Sequence, residues 1–449
     1  MPVLNNSGGI IGYMKILIAA DLHWPVLNGV ATFSRNLAHG MAARGHEVVV
    51  IAPSQDGKKS VEVDGNYTIY RVRSTVFPFY QNFRISPTPQ LEVRKIIQDF
   101  QPDIIHIQML MWIGQAAMFF GRRNNIPIVS TSHAMAENLL DNLKRVAPLS
   151  KPINYMLSDY GRRFHSRADV ITSPTESGIK GFGRQVEKID KPIEIISNGI
   201  DLTEYNPSEP DPEMYKKYNL PTDKPIITYI GRVDAEKHLS VLVKAFEKVR
   251  NTVDAHLLIV GDGVDRANLT QMVEDEGLSQ YVTFAGRVSD EDKIALEHVG
   301  VLYAITSPAE LQSIATLEAM ACGKPIVAVD AGALAELCHD GENGYLFSLD
   351  DSNEMAEKLV KILGDKKLQE LFSKESLKIA QKHDLEFTLK EFEALYNRTI
   401  MYKKQEIADR PATWRDRILE SDLFDYLREA RDIEDSELKD YSDEDLKKL

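Results

Sequence analysis

Residues Leu302–Val329 read LYAITSPAELQSIATLEAMACGKPIVAV, and their order decides the fold. Leu302–Ile305 is a short apolar run without alternation, the pattern of a strand buried on both faces of a parallel sheet. Ser307-Pro308 turns the chain, a helical stretch starts at about residue 312, and Gly323 and Pro325 close it before a second apolar run, Ile326–Val329. Strand, helix and strand in so short a span is a parallel βαβ unit. The loop after its first strand lies at a carboxyl end, where open α/β sheets bind ligands. Glu310 falls in that loop and Glu318 lies further along the helix. A helix start offers free N–H groups and a positive dipole end to a diphosphate. A carboxylate accepts paired hydrogen bonds from the vicinal hydroxyls of a sugar. The spacing alone is read more simply as two surface glutamates on an ordinary helix.

The same alternation extends outward. Ile226–Ile230, His256–Val260 and Val282–Ala285 are further apolar runs in the second half, each followed by a loop and a helix. Lys15–Ala20 (KILIAA), Glu47–Ala52, Ile104–Ile107, Ile126–Ser130 and Val170–Thr172 repeat the grammar in the first half, with a helical pattern over Ala31–Ala43 stopped by Gly45. Strands alternating with helices predict an α/β protein of doubly wound parallel sheets. Residues 206–224 carry Pro207, Pro210, Pro212 and Pro221 among charges and read as a linker. The expected organisation is an extension at 1–13, a first α/β domain at 14–205 and a second at 206–385 that includes the linker. A helix at 386–402 follows, with Phe387, Leu389, Phe392, Leu395 and Tyr396 at helical spacing, and then a charged tail at 403–449. The tail keeps Trp414, Ile418, Leu419, Leu423, Phe424 and Leu427 in an amphipathic pattern.

The 449 residues carry a net charge of −14, which argues against a surface coated by nucleic acid. Acids crowd residues 432–445, so the body of the chain is less acidic than the total. Cys322 and Cys338 provide neither a disulfide framework nor metal-ligand spacing, as expected in the reducing cytoplasm. No apolar run is long enough to span a bilayer, and the start lacks the basic and apolar regions of a secretory leader.

Gly231-Arg232-Val233-Asp234-Ala235-Glu236-Lys237 follows the strand Ile226–Ile230, again at a carboxyl end. An arginine grips phosphate bidentately and a lysine adds a point charge; the plainer reading is a solvated loop. Asn28-Gly29-Val30 follows the first strand, where a glycine lets backbone approach a phosphate, although alone it is only a turn. His133, after Ile126–Ser130, is balanced between a structural and a catalytic histidine. His106 is given no role. Gly261-Asp262-Gly263 lacks the third glycine of a dinucleotide fingerprint and reads as a tight turn. Asp443-Glu444-Asp445 sits in an acid run where such spacing is trivial, so no metal site is expected.

Taken in order, these pieces resemble the retaining family 4 glycosyltransferases of the GT-B fold, over about residues 14–400. The resemblance is carried by the Gly29 loop, PDIIHIQ at Pro102–Gln108, His133, and Ser197-Asn198-Gly199-Ile200-Asp201. It continues through GRVDAEK at 231–237, LLIVGDG at 257–263, VTFAGRV at 282–288 and the Glu310–Glu318 element ending in EAMACGKPIVA. It implies two Rossmann-like domains facing each other across a cleft, with a nucleotide sugar as donor and neither metal nor cofactor. By the same resemblance, Arg232 and Lys237 bind the donor diphosphate, Glu318 the ribose, and Glu310 hydroxyls of the donor sugar. The backbone of Gln312, Ser313 and Ile314 lies near sugar and phosphates, and Arg287 and Val288 read the base. His133 lies near the transferred sugar, and Gly29 closes over the phosphates. Many relatives have Gly-Gly where this chain has Asn28-Gly29.

The acceptor is read from the first domain. Val76–Arg84 is an aromatic loop, and residues 144–167 interleave Lys144, Arg145, Lys151, Arg162, Arg163, His165 and Arg167 with apolar side chains. That pattern suits an anionic membrane surface, and it equally describes a helix with a solvated basic face. These segments and His133–Leu140 resemble bacterial diacylglycerol glucosyltransferases and related lipid glycosyltransferases. The resemblance implies a UDP-glucose donor, a glycolipid acceptor and a peripheral place on the inner face of the cell membrane. The alternatives are a GDP-mannose-dependent mannosyltransferase with a polysaccharide or soluble acceptor, a sugar-nucleotide epimerase of the same fold, and a degenerate binding domain.

Overall fold

The computed structural model describes residues 12–26, 28–77, 84–133, 150–180 and 187–409, with side chains of the helix Ser150–His165 described from residue 156. Most of the expected extension, aromatic-loop residues 78–83, residues 134–149 and the tail from 410 lie outside them.

Eight described strands form the first sheet: β1 (Lys15–Ala19), β2 (Glu47–Pro53), β3 (Ser60–Asp64), β4 (Tyr67–Val72), β7 (Ile104–Ile107), β8 (Ile128–Thr131), β9 (Val170–Ser173) and β10 (Ile193–Ile195). A small separate ribbon pairs β5 (Thr75–Val76) with β6 (Arg84–Ile85). The spatial order is β10-β9-β8-β7-β1-β2-β4-β3, parallel throughout except for the β3–β4 hairpin. Central strands are apolar because helices cover both faces; Ile16, Leu17 and Ile18 are fully buried. β3 is different. It lies at the sheet edge with Val61 and Val63 exposed, and Gly65, at φ +61°, makes its turn into β4. The expectation of purely parallel pairing fails there.

The second sheet is parallel throughout. Its order is β13 (Val282–Gly286), β12 (His256–Val260), β11 (Ile226–Ile230), β14 (Leu302–Ile305), β15 (Ile326–Val329) and β16 (Gly344–Phe347). In both sheets the chain order reverses at one place, between β1 and β7 and between β11 and β14. Loops leaving neighbouring strands at such a switch point diverge and leave a crevice. The expected linker is not featureless. Asp211 caps a helix Pro212–Lys217 whose proline occupies the first turn, and Met214 and Leu220 are buried in the second core.

The chain crosses between the sheets twice, with Ile200 and Asp384 bridging the two crossings. The helix Leu385–Ala408 returns to the first domain. Leu389, Phe392, Leu395 and Tyr396 enter a core with Phe33, Leu37 and Val48, whereas Phe387 is exposed. Glu393, almost wholly buried, takes Arg44 at 2.9 Å and His46 at 3.0 Å, so the buried carboxylate is paired on both sides. Gly40 permits this packing, since a Cβ there falls 2.4 Å from a Leu389 methyl. Met1–Ile400 form one compact unit and Met401–Leu449 another, of which residues 401–409 are described.

Candidate functional site

A cleft of about 2650 Å³ is lined by loops and helix starts of both sheets. On the second-domain side, β11 ends at Gly231 and the chain turns through a short 3-10 segment, Ala235–Lys237. Gly261 and Gly263 bring the neighbouring loop close. A Cβ at Gly261 falls 1.8 Å from the Gly231 carbonyl oxygen and one at Gly263 falls 2.2 Å from that of Val233. The GDG turn is thus a packing device. Arg232 is ion-paired with Asp234 and Glu236. The Lys237 ammonium lies 2.7 Å from Glu310 Oε1 and 3.4 Å from Ser307 Oγ. Two residues far apart in sequence meet because β11 and β14 are neighbours.

The helix beside them runs Ile314–Ala321, starting just after the expected position. Ser313 is its N-cap, with Oγ accepting from the Thr316 N–H. Glu318 lies inside this helix, 3% exposed. Its Oε1 is 2.6 Å from Lys293 Nζ, and its Oε2 is buried with no partner among the described residues. Lys293, from the helix Asp290–Val299, also lies 5.6 Å from the centre of the Tyr205 ring. Lys293 and Tyr205 are neighbours that sequence reading missed; nothing in the spacing of an acidic helix start singles the lysine out. Arg287 and Val288 follow β13 and line the cleft, Arg287 exposed and Val288 half-buried. Gln312 lines it too, and its side chain is turned onto Ser197 and Asn198 of the first domain.

Gly29 is the first residue of the helix Gly29–Ala43, and Asn28 caps that helix by accepting from the Ala31 N–H at 2.8 Å. Asn28 therefore has its own local function as the cap of this helix. The Ile314 side chain comes within 3.6 Å of a Cβ built on Gly29, so loops of the two domains face each other here. His133 also lines the cleft. Its Nε2 donates to Gln108 Oε1 at 2.8 Å, and its ring packs on Phe33. Burial, aided by the nearby His165, pushes its pKa down to about 3, so the imidazole is neutral at pH 7. His106 is structural, joining the Tyr396 hydroxyl and Thr131 Oγ1, each at 2.6 Å.

The remaining first-domain wall mixes apolar Trp24, Met109, Leu110, Trp112, Leu157 and Tyr160 with polar Arg35, Asn36, His39 and Gln115. The expected basic face is weaker than the sequence suggests. Asp159 pairs with both Arg162, at 2.8 Å, and Arg163, at 2.6 Å; Arg163 and Arg167 are exposed, Arg162 is half-buried and His165 is buried. Lys144, Arg145 and the Lys151 side chain fall outside the described residues. Among the described residues no group of three or more His, Cys, Asp or Glu is gathered to hold a metal ion, and no helix is long and apolar enough to cross a membrane.

Residues 27–204 match the model of Glycosyltransferase Family 4, and residues 210–378 that of Glycosyl transferases group 1. The chain is 23% identical over 393 residues to alpha-monoglucosyldiacylglycerol synthase of Acholeplasma laidlawii, covering 85% of this chain and 96% of that protein. It is 25% identical over 340 residues to a GDP-mannose-dependent alpha-mannosyltransferase of Mycolicibacterium smegmatis, covering 75% and 85%. The fold is similar to that of Anabaena HepE in complex with UDP and glucose, with a TM-score of 0.65, 20% identity, and coverage of 86% and 100%. Two Rossmann-like domains and these matches define a glycosyltransferase of the GT-B fold, an enzyme that uses nucleotide sugars. The chain belongs to the family 4 glycosyltransferases.

Proposed function

We propose that this enzyme moves glucose from UDP-glucose to a hydroxyl of a diacylglycerol or glycolipid, with retention at the anomeric carbon and without a bound metal. The observation that carries the reading is the division of the cleft. Arg232, Lys237, Glu310 and Glu318 gather on the second-domain wall, whereas the first-domain wall contributes an apolar group, Trp24, Met109, Leu110, Trp112, Leu157 and Tyr160, among its polar residues. The relative from Acholeplasma laidlawii, named for a glucosylated diacylglycerol, supports the acceptor, and the UDP and glucose held by HepE support the donor.

In this reading the diphosphate enters between Arg232, Lys237 and the start of the helix Ile314–Ala321. Lys237 exchanges the Glu310 carboxylate for a phosphate oxygen and frees Glu310 for sugar hydroxyls. Glu318 takes the ribose diol beside Lys293, and the loop at Arg287 and Val288 receives the base. The acceptor oxygen attacks the anomeric carbon on the face that the leaving group departs from. The bond to the diphosphate breaks, and a phosphate oxygen takes the acceptor proton. The cations and helix N–H groups stabilise the charge that grows on the leaving group. His133, neutral and with Nε2 engaged by Gln108, offers Nδ1 as a hydrogen-bond acceptor rather than a titrating base. Exposed Phe119, Met156 and Tyr160, with Arg163, support placing the first domain against anionic lipid.

A panel of sugar nucleotides against lipid and soluble acceptors, read by product mass, tests the proposal. A glucosylated lipid is expected. Mannosylation of a soluble acceptor from GDP-mannose overturns it, and so does conversion of the donor alone by an epimerase reaction.

A further inference from the structure

The donor loop belongs to the second domain, yet the first domain holds it. Thr175, just after β9 and 3% exposed, donates its hydroxyl to the Leu311 carbonyl at 2.6 Å. Gln312, 6% exposed, accepts the Asn198 N–H on Oε1 at 2.7 Å and donates from Nε2 to Ser197 Oγ at 3.1 Å. Ser197 Oγ is itself 2.8 Å from His383 Nδ1, at the second chain crossing. Next to these bonds, the Glu336 carboxylate of the second domain accepts the Ser177 N–H at 2.8 Å and the Glu176 N–H at 3.2 Å. Ser177 Oγ donates to the Gly332 carbonyl at 3.2 Å. Gly178 makes room for this approach, because a Cβ there falls 2.9 Å from a Leu311 methyl.

Leu311 and Gln312 are the residues between Glu310 and the helix cap Ser313. Within its own domain the loop is anchored by the Ala333 N–H, which donates to the Glu310 carbonyl at 3.0 Å. The geometry points to Thr175 and Gln312 as positioning residues that couple closure of the two domains to the conformation of the donor loop. The Thr175 bond to Leu311 and the Gln312 bonds to Ser197 and Asn198 cross the domain boundary, and a hydrogen bond is lost beyond about 3.5 Å. A domain separation of even a few ångströms breaks them together and releases the loop that carries Glu310. Closure and a competent donor loop are then one equilibrium, and weakening the clasp taxes donor binding by shifting that equilibrium toward the open form. The kinetic part of the inference rests on the reading of Glu310 as a donor-sugar residue.

The test uses the full chain with the isosteric variants Thr175→Val and Gln312→Leu, and Thr175→Ser as the conservative control. Steady-state kinetics with UDP-glucose are paired with a spin-label distance between Lys95→Cys and Lys216→Cys, both exposed and on opposite domains. Each loss-of-bond variant is expected to raise the donor KM by about three- to tenfold with little change in kcat, the scale of one net hydrogen bond. Each should also shift the distance distribution to longer values, while Thr175→Ser stays at wild type. Wild-type KM and distances in both variants overturn the coupling. Lys237→Ala separates the two readings: lost turnover with an unchanged distance distribution upholds the donor site independently of the clasp.

Discussion

Glu297 lies on the helix Asp290–Val299 and is fully buried, and neither carboxylate oxygen has a hydrogen-bond partner among the described residues. Burial first, and the neighbouring Glu318 second, push its pKa from 4.5 up to about 8, against the opposing pull of Lys293 and Lys324. The folded chain therefore carries a proton on Glu297 that the unfolded chain releases above its ordinary pKa. Stability from this group is fully present below about 4.5 and is lost as pH rises to about 8. At ~1.4 kcal/mol per pH unit, the whole window is worth roughly 5 kcal/mol. Glu297→Gln replaces the acid by an amide of the same shape that stays neutral at every pH in the window. Calorimetric melting of both proteins from about pH 5 to about pH 9 measures the effect. The variant's midpoint should gain on wild type as pH rises, by roughly ten degrees over the window for a domain of this size. Parallel curves for the two proteins would refute the reasoning, because an ordinary solvated carboxylate gives no such divergence.

Replacing Lys237 by Ala should lower turnover by roughly two to three orders of magnitude, the scale of one lost electrostatic stabiliser, with the fold checked by circular dichroism. Transfer should persist in excess EDTA; complete loss restored by magnesium or manganese points to a metal-dependent reaction instead. Sedimentation with vesicles should show binding to anionic but not neutral lipid, weakening at high salt. Because Asp159 already neutralises part of the pair, Arg162→Glu with Arg163→Glu should reduce that binding rather than abolish it.

The fold was legible where burial was complete. Ile226–Ile230 and Leu302–Ile305 are unbroken apolar runs because both faces of a parallel strand are covered, and the structure has them at the limits read. Ser60–Asp64 and Tyr67–Val72 escaped, because an edge hairpin keeps Glu62 and exposed Val61 and Val63 on one strand and leaves no apolar run. The turn at Gly65-Asn66 was the available signal. The meeting of Lys237 and Glu310 was foreshadowed by their places at carboxyl ends of strands. Lys293, Tyr205 and Gln108 were not, since their approach depends on how helices and linker pack. At 162–163 the basic charge is partly offset by Asp159, one helical turn away, a pairing that the basic residues alone do not reveal.

Leu389, Phe392 and Tyr396 complete the core around Phe33 and Leu37, so the first domain stays unfinished on the ribosome until most of the second has been made. Among the described residues, the second domain's core draws on Ile200 to Ala380 and has all its parts earlier. At ~5–20 residues per second, the two-hundred-residue delay between Ile195 and Leu389 lasts roughly ten to forty seconds. During it Leu37 and Phe33 lack their cover and are available to chaperones and proteases. A nascent chain stalled before Leu385 therefore pairs a complete second domain with a first domain whose core lacks its closing helix, and degradation of such a product should begin at its amino-terminal half.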